Sequence, residues 1–133
     1  MGAIKMVACV RKRDGLTFEE FSRYWSNDHK KLVLEHLPAL RARRYAQNHL
    51  TQPDFGVLLA QPRGMDTGSY DGVLELWWDS LDEVIEAFSS PECLAASATL
   101  AEDEARFIDL SASKVFLTEE LIMFDSKLEG SAP

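Results

Sequence analysis

Histidine is the residue type in this sequence best suited to proton transfer near neutral pH, and His29 is its best-placed example. His29 follows Trp25 by four residues and precedes Leu32 by three, so helical spacing places it on an apolar stripe. Burial there can shift its proton equilibrium, and we predict a general acid or base. The alternative is a core histidine whose ring is satisfied by a backbone carbonyl.

Two other residues complete the predicted catalytic set. His49 shares one face of a predicted strand with Gln47 and Tyr45, where it could supply a proton donor. A histidine at a strand end, touching solvent, is the alternative. Tyr24 lies one residue off the apolar stripe, so its hydroxyl could border a pocket. The predicted catalytic residues are therefore His29, His49 and Tyr24.

Aromatic side chains near these positions predict the wall of an apolar cavity. The predicted substrate-binding residues are Trp25, Phe21, Gln47, Trp77 and Phe88. A purely structural place in the core is the alternative interpretation for Trp25.

Other polar residues receive structural interpretations. Asp28 and the acidic run 102–104 are predicted on solvated helix faces. Glu75 is flanked by leucines on a strand and needs a partner if buried, which Arg44 on a neighbouring strand could supply. His36 is predicted to interact with the C-terminal end of its helix.

Composition narrows the function classes. The chain has 133 residues, which is the length of about one domain, and a net charge of −8. This acidic balance argues against a nucleic-acid partner, since such proteins need clustered basic residues. No run of eighteen apolar residues, secretory leader or Cys-x-x-Cys motif occurs, so we expect no membrane span and a cytoplasmic protein. Phosphate-loop, nucleophile-elbow and zincin motifs are also missing, and the histidine spacing does not indicate a metal site.

The elements that position these residues follow from hydrophobic period and capping signals. Predicted strands cover residues 4–10, 43–50, 73–79 and 114–124. Capping-box patterns at 17–20 and 80–83 open two helices, which we expect to end near Leu37, before Pro38, and at Phe88. An Ala-rich segment from Pro91 to about Phe107 is helical in pieces. Residues 51–71 form a long connection with a short turn of structure near 57–60.

This order, β-α-β followed by β-α-β, predicts an α+β domain of the ferredoxin-like, split βαβ type with an antiparallel sheet. We place the domain at residues 1–126 and a flexible tail at 127–133. Both helices lie on one sheet face, while Trp77 and Trp78 point bulky groups to opposite faces. A second copy covering the open face, as a homodimer that closes a barrel, is the simplest solution.

Residues 11–29, which include Leu16-Thr17 and the Phe-x-x-Tyr-Trp pattern before His29, resemble the opening of an EthD-domain protein. The segments 44–49 and 116–120 continue the resemblance. It implies a dimeric α+β barrel and a proposed acid/base role for His29. Relatives in that superfamily include polyketide decarboxylases, cyclases and muconolactone-type isomerases.

The leading functional hypothesis is a cofactor-independent lyase or isomerase acting on a small hydrophobic, aromatic or polyketide-like substrate. Decarboxylation, dehydration, cyclisation and isomerisation all remain open. One alternative is a cofactor-free monooxygenase of the same superfamily, whose sites combine Asn, Trp and His, here Asn27, Trp25 and His29 within one helical turn. The other is a non-enzymatic, ligand-binding accessory protein of a catabolic or biosynthetic pathway.

Overall fold

The computed structural model describes residues 2–129; the last four residues of the predicted tail, 130–133, lie outside this described part. The strands are β1 (Ile4–Val10), β2 (Arg44–His49), β3 (Gly72–Trp78) and β4 (Lys114–Glu119). The helices are α1 (Phe18–Tyr24), α2 (Lys30–Leu40), α3 (Pro53–Ala60), α4 (Leu81–Phe88), α5 (Pro91–Glu104) and α6 (Ser126–Glu129), with a π-helical segment at Trp25–His29 between α1 and α2.

The four strands form one antiparallel sheet in the order β2-β3-β1-β4. The two central strands are the first of each β-α-β unit, which is the split βαβ arrangement. The predicted α+β, ferredoxin-like fold is confirmed. Side chains at even positions of β1 face the helices, and those at odd positions face away from them, because successive strand residues alternate.

The first helical segment begins as its capping box predicts. The Thr17 hydroxyl accepts a hydrogen bond from the Glu20 amide at 3.1 Å, and the Glu20 carboxylate accepts from the Thr17 amide at 2.9 Å. The predicted end at Leu37 is wrong, because α2 continues through Pro38 to Leu40. Leu40 is buried in the core and its carbonyl accepts a hydrogen bond from Trp78 at 2.9 Å, which offsets the cost of the internal proline.

Two apolar clusters fill the space between the sheet and the helices. One joins α2, α4 and α5 to β3 around Trp78; the other joins α1 and the π-helical segment to β1 around Phe21 and Trp25. Both clusters pack against the same face of the sheet. The fold is therefore a two-layer structure with one sheet face covered.

The uncovered sheet face carries a compact group of charges around Trp77. Lys5 lies 2.6 Å from Glu75 and 3.0 Å from Glu120, while the Lys5 and Arg44 cations both contact the Trp77 ring. The predicted Arg44–Glu75 ion pair is therefore wrong, because the partner of Glu75 is Lys5. The register places Arg44 and Lys5 on opposite sides of Trp77, and it is the Lys5 ammonium that reaches the Glu75 carboxylate, at 2.6 Å.

Two other predicted elements also differ from the structure. The fourth strand ends at Glu119 instead of residue 124, and its apolar continuation, Leu121–Phe124, is exposed. The connection 51–71 contains the eight-residue helix α3, whose Phe55, Leu58 and Leu59 are exposed. Apolar content alone predicted a longer strand, but pairing with β1 ends at Glu119, opposite Ile4. Within residues 2–129, no helix has the length and apolarity needed to cross a membrane.

Gly72 is required by the packing of Trp25 against β3. A Cβ at this position would collide with the Trp25 ring, 2.7 Å from its Cη2, and would lie 2.8 Å from the Asn48 carbonyl oxygen. We predict that Gly72→Ala lowers the free energy of unfolding by about 1–3 kcal/mol, as overpacked core substitutions do. Urea denaturation measures the change.

Gly56→Ala is the matched control, since Gly56 lies in α3 with open space around it. There the same substitution should be neutral or should stabilise the protein by up to about 1 kcal/mol. Equal stability of the two variants would show that the Trp25 contact does not constrain position 72.

Candidate functional site

A cavity of about 270 Å³ lies between the sheet and the helices. Both apolar clusters contribute to its wall, so it occupies the space where they do not meet. Its apolar lining includes Val33, Leu40, Leu76, Phe88, Leu100 and Ile108. The polar groups in the lining include His29, Tyr45, Ser97, Glu104 and Lys114. This combination of a mostly apolar wall and a few polar groups is typical of a small-molecule site.

His29 is the last residue of the π-helical segment and is only 2% exposed. The wider π turn lets Phe21, Trp25, His29 and Val33 face the interior in succession. The Nδ1 atom of His29 lies 2.7 Å from a carboxylate oxygen of Asp103, and its ring contacts Phe107. The predicted position of His29 on the buried stripe is confirmed.

Asp103 holds His29 in one tautomer. Its second carboxylate oxygen accepts a hydrogen bond from the Tyr24 hydroxyl at 2.7 Å. Burial opposes ionisation, but hydrogen bonds from His29 and Tyr24 prevail and lower the pKa of Asp103. An ionised Asp103 accepts the Nδ1 proton, so the lone pair of a neutral His29 is on Nε2.

Glu104 lies on the other side of the imidazole, with its carboxylate oxygen 3.7 Å from His29 Nε2. Burial, with a smaller contribution from the charge of Asp103, raises the pKa of Glu104 to about 7. Burial also lowers the pKa of His29 although Asp103 opposes this shift. Near neutral pH the cavity therefore contains a neutral imidazole beside a carboxyl group that can hold or release a proton.

The predicted solvated face for the acidic run 102–104 is wrong for Asp103 and Glu104, whose side chains are 14% and 26% exposed. The spacing of the apolar residues on α5 could have predicted this burial. Buried Ala96 and Leu100 on α5 continue at three- and four-residue intervals to positions 103 and 104, which share their face. The groups that stabilise the Asp103 carboxylate, His29 and Tyr24, belong to other helical segments, and spacing along α5 does not reveal them.

His49 belongs to a second hydrogen-bonded group. Its Nδ1 lies 2.6 Å from the Ser22 hydroxyl, its Nε2 lies 2.9 Å from the Gln47 side-chain oxygen, and its ring contacts the Trp25 ring at a tilt of 38°. The Gln47 amide nitrogen donates to the Trp25 carbonyl and to the Tyr45 hydroxyl. Burial lowers the pKa of His49. This group links β2 to the π-helical segment through side chains.

Of the eight predicted site residues, His29 and Phe88 line the cavity as formed by residues 2–129; the other six lie outside its lining. Tyr24 is connected to the lining residue His29 through Asp103, and Gln47 is bonded to the lining residue Tyr45. Phe21 and Trp25 are core residues behind it, whereas Trp77 lies on the uncovered sheet face.

The Asn, Trp and His combination of the oxygenase alternative is not assembled at this cavity. Asn27 is exposed and its amide donates to the Arg23 carbonyl at 3.0 Å, while Trp25 packs against Phe21. In the described part of the chain, His, Cys, Asp and Glu side chains form no group of three that could bind a metal ion.

Comparison with solved structures supports the same fold. The chain is 16% identical to an EthD-like protein from Ralstonia eutropha JMP134, with a TM-score of 0.59 over 93% of this chain and 96% of the other. An ethyl tert-butyl ether D (EthD) family protein from Bacillus halodurans C-125 is 16% identical, with a TM-score of 0.57 over 90% and 99% of the two chains.

A dimeric protein of unknown function and ferredoxin-like fold from Bacteroides fragilis NCTC 9343 is 17% identical, with a TM-score of 0.54 over 90% and 98% of the chains. No curated protein sequence matches this chain significantly. At such identities these likenesses establish the fold alone.

The sequence model of the EthD domain matches residues 13–111, which include the π-helical segment, His29, Asp103 and Glu104. This match spans most of the 133-residue chain and agrees with the resemblance carried by residues 11–29. The chain belongs to the EthD-domain family.

Proposed function

We propose that this protein is a lyase- or isomerase-type enzyme that moves protons within a small hydrophobic substrate by using its own side chains. The observation that carries the proposal is the buried His29–Asp103 pair at the wall of a mostly apolar cavity. A site of this kind needs only proton transfer and exclusion of water to promote decarboxylation, dehydration, cyclisation or isomerisation.

The electrostatics of the pair suit a general base. Burial keeps His29 neutral near pH 7, and Asp103 holds its Nδ1 proton, so Nε2 can accept a proton from a substrate. When the imidazolium forms, the Asp103 charge at 2.7 Å stabilises it. The proton can then return to a different substrate atom.

The wall of the cavity supports an aromatic or polyketide-like substrate. The lining contains five leucines, three valines and Phe88, and a volume of about 270 Å³ accommodates a compact ring system. In this proposal Tyr24 is a positioning residue, because its hydroxyl contacts Asp103. His49 has the same indirect role through Gln47 and Tyr45.

We predict that His29→Gln lowers turnover by about 100-fold or more, the usual contribution of one general acid or base. The measurement is a ligand-observed screen of aromatic acids, lactones and phenolic polyketides for binding and for product. His36→Gln is the matched control, since His36 lies two turns further along α2 and outside the described cavity lining.

Equal turnover by His29→Gln and His36→Gln would contradict a catalytic role for His29. Binding by every variant without product from any would instead favour the accessory-binder alternative.

The acid limb of the pH profile should reflect the buried state of His29. Since burial lowers the pKa of His29, the base stays deprotonated below the ordinary histidine value of 6.5, and kcat/KM should fall only at lower pH. Asp103→Asn removes the charge that raises the pKa of His29, so the fall in kcat/KM should move to a still lower pH, and kcat should decrease. If kcat/KM falls at the same pH in both proteins, Asp103 is not the group that positions His29 and raises its pKa.

We also propose that the protein is a homodimer that buries the uncovered sheet face. Val7, Val73 and Phe116 lie on this face with Trp77. Lys5 pairs there with Glu75 and Glu120, and the Arg44 cation contacts the Trp77 ring. A face whose charges are already paired costs less to desolvate. The dimeric relative from Bacteroides fragilis has the same fold and supports this proposal.

We predict that Phe116→Glu converts the dimer to a monomer, because a twofold interface receives the new charge twice. Phe116 is 50% exposed in the single chain. Light scattering after size-exclusion chromatography measures the mass. Ile85→Glu, at a 55% exposed position on α4, is the control and should remain dimeric. A dimeric Phe116→Glu protein would place the interface elsewhere.

A further inference from the structure

We propose that Glu104 is a second catalytic residue, which protonates a ketone oxygen of the substrate while His29 removes a proton from the adjacent carbon. This inference rests on the proposed function and narrows it to enolisation, with neutral enolisable ketones that carry an aromatic or fused-ring body as the substrate class.

The geometry places both groups at one reaction centre. His29 and Glu104 line the same cavity, and Glu104 Oε2 lies 3.7 Å from His29 Nε2, beyond hydrogen-bond distance. A carbonyl oxygen and a hydrogen on the neighbouring carbon can therefore approach the carboxyl and the imidazole from the cavity together. Among residues 2–129, the Glu104 side chain has no hydrogen-bond partner, so its proton is available to a ligand.

The surroundings of Glu104 favour a protonated carboxyl over a charged one. The titratable groups near it are Asp103 on its own helix, His29 on the π-helical segment and Tyr45 on β2. Lys114 on β4 belongs to the cavity wall, but its register opposite Cys9 places its side chain on the uncovered sheet face. Burial and Asp103 raise the pKa of Glu104 to about 7. Glu104 therefore differs from the acceptor-only Asp103 beside it.

The step balances without another reactant. The substrate C–H bond breaks and its proton bonds to His29 Nε2, while the electron pair forms the carbon–carbon double bond of the enol. The carbonyl oxygen takes the Glu104 proton, which leaves a carboxylate beside an imidazolium. In D₂O the Nε2 proton of the imidazolium exchanges with solvent, so a deuteron is delivered to carbon while the enol proton returns to Glu104. Delivery to the same carbon gives exchange, and delivery to a conjugated carbon gives isomerisation.

The test is exchange of the α-protons of 2-tetralone in D₂O, followed by ¹H NMR with wild-type protein and with Glu104→Gln, Glu102→Gln and His29→Gln. Wild-type protein should accelerate exchange, with a decline above about pH 7 as Glu104 loses its proton. Glu104→Gln should reduce the rate by about 100-fold and remove that decline. Glu102→Gln changes an exposed carboxylate on the same helix and should match wild type.

Glu104→Asp keeps a carboxylic acid, so it should retain part of the exchange rate and the decline at high pH. If Glu104→Gln is poorly folded, Glu104→Asp is the variant that tests the proposal. A Glu104→Gln rate within twofold of Glu102→Gln overturns the proposal, as does a wild-type protein that does not accelerate exchange. The proposed function fails separately, if His29→Gln retains full turnover in the substrate screen.

Discussion

The hydrogen bond between His29 Nδ1 and Asp103, at 2.7 Å, is the contact on which the candidate site depends. It joins the π-helical segment to the end of α5 through two residues that are 74 positions apart in the chain. Burying an imidazole and a carboxylate costs free energy unless each finds a partner. Here each partner satisfies the other, and Tyr24 supplies a second donor to Asp103. The same contact sets the tautomer of His29 and leaves Nε2 on the side of Glu104.

The π-helical segment determines how the large side chains pack around the cavity. In a regular α-helix, side chains spaced four residues apart drift by about 40° at each step, so Phe21, Trp25, His29 and Val33 would spread around the helix. The wider π turn at Trp25–His29 reduces this drift, and all four side chains are buried. Trp25 then occupies the space above Gly72, where a side chain is excluded. One apolar cluster is centred on Phe21 and Trp25, and the other is centred on Trp78. The cavity lies between the two clusters, beside His29.

Adjacent acidic residues on one helix end have different protonation behaviour for a physical reason. Asp103 receives two hydrogen bonds that favour its charge, while Glu104 has burial and a neighbouring anion that disfavour its charge. Pairs of groups whose environments separate their pKa values are the usual basis for acid and base roles in one site. On the uncovered sheet face, by contrast, Lys5 pairs with Glu75 and Glu120, and the Arg44 cation contacts the Trp77 ring.

The sequence by itself determined the order of the elements, the capped start of α1, the fold class and the burial of His29, because these depend on local period and local hydrogen bonds. It also indicated the family, through the residues that precede His29. The tertiary structure alone decided which carboxylates meet the histidine, which strand partner Glu75 takes and where α2 ends. Asp103, Lys5 and Trp78 come from distant parts of the chain, and only packing brings each of them to its partner.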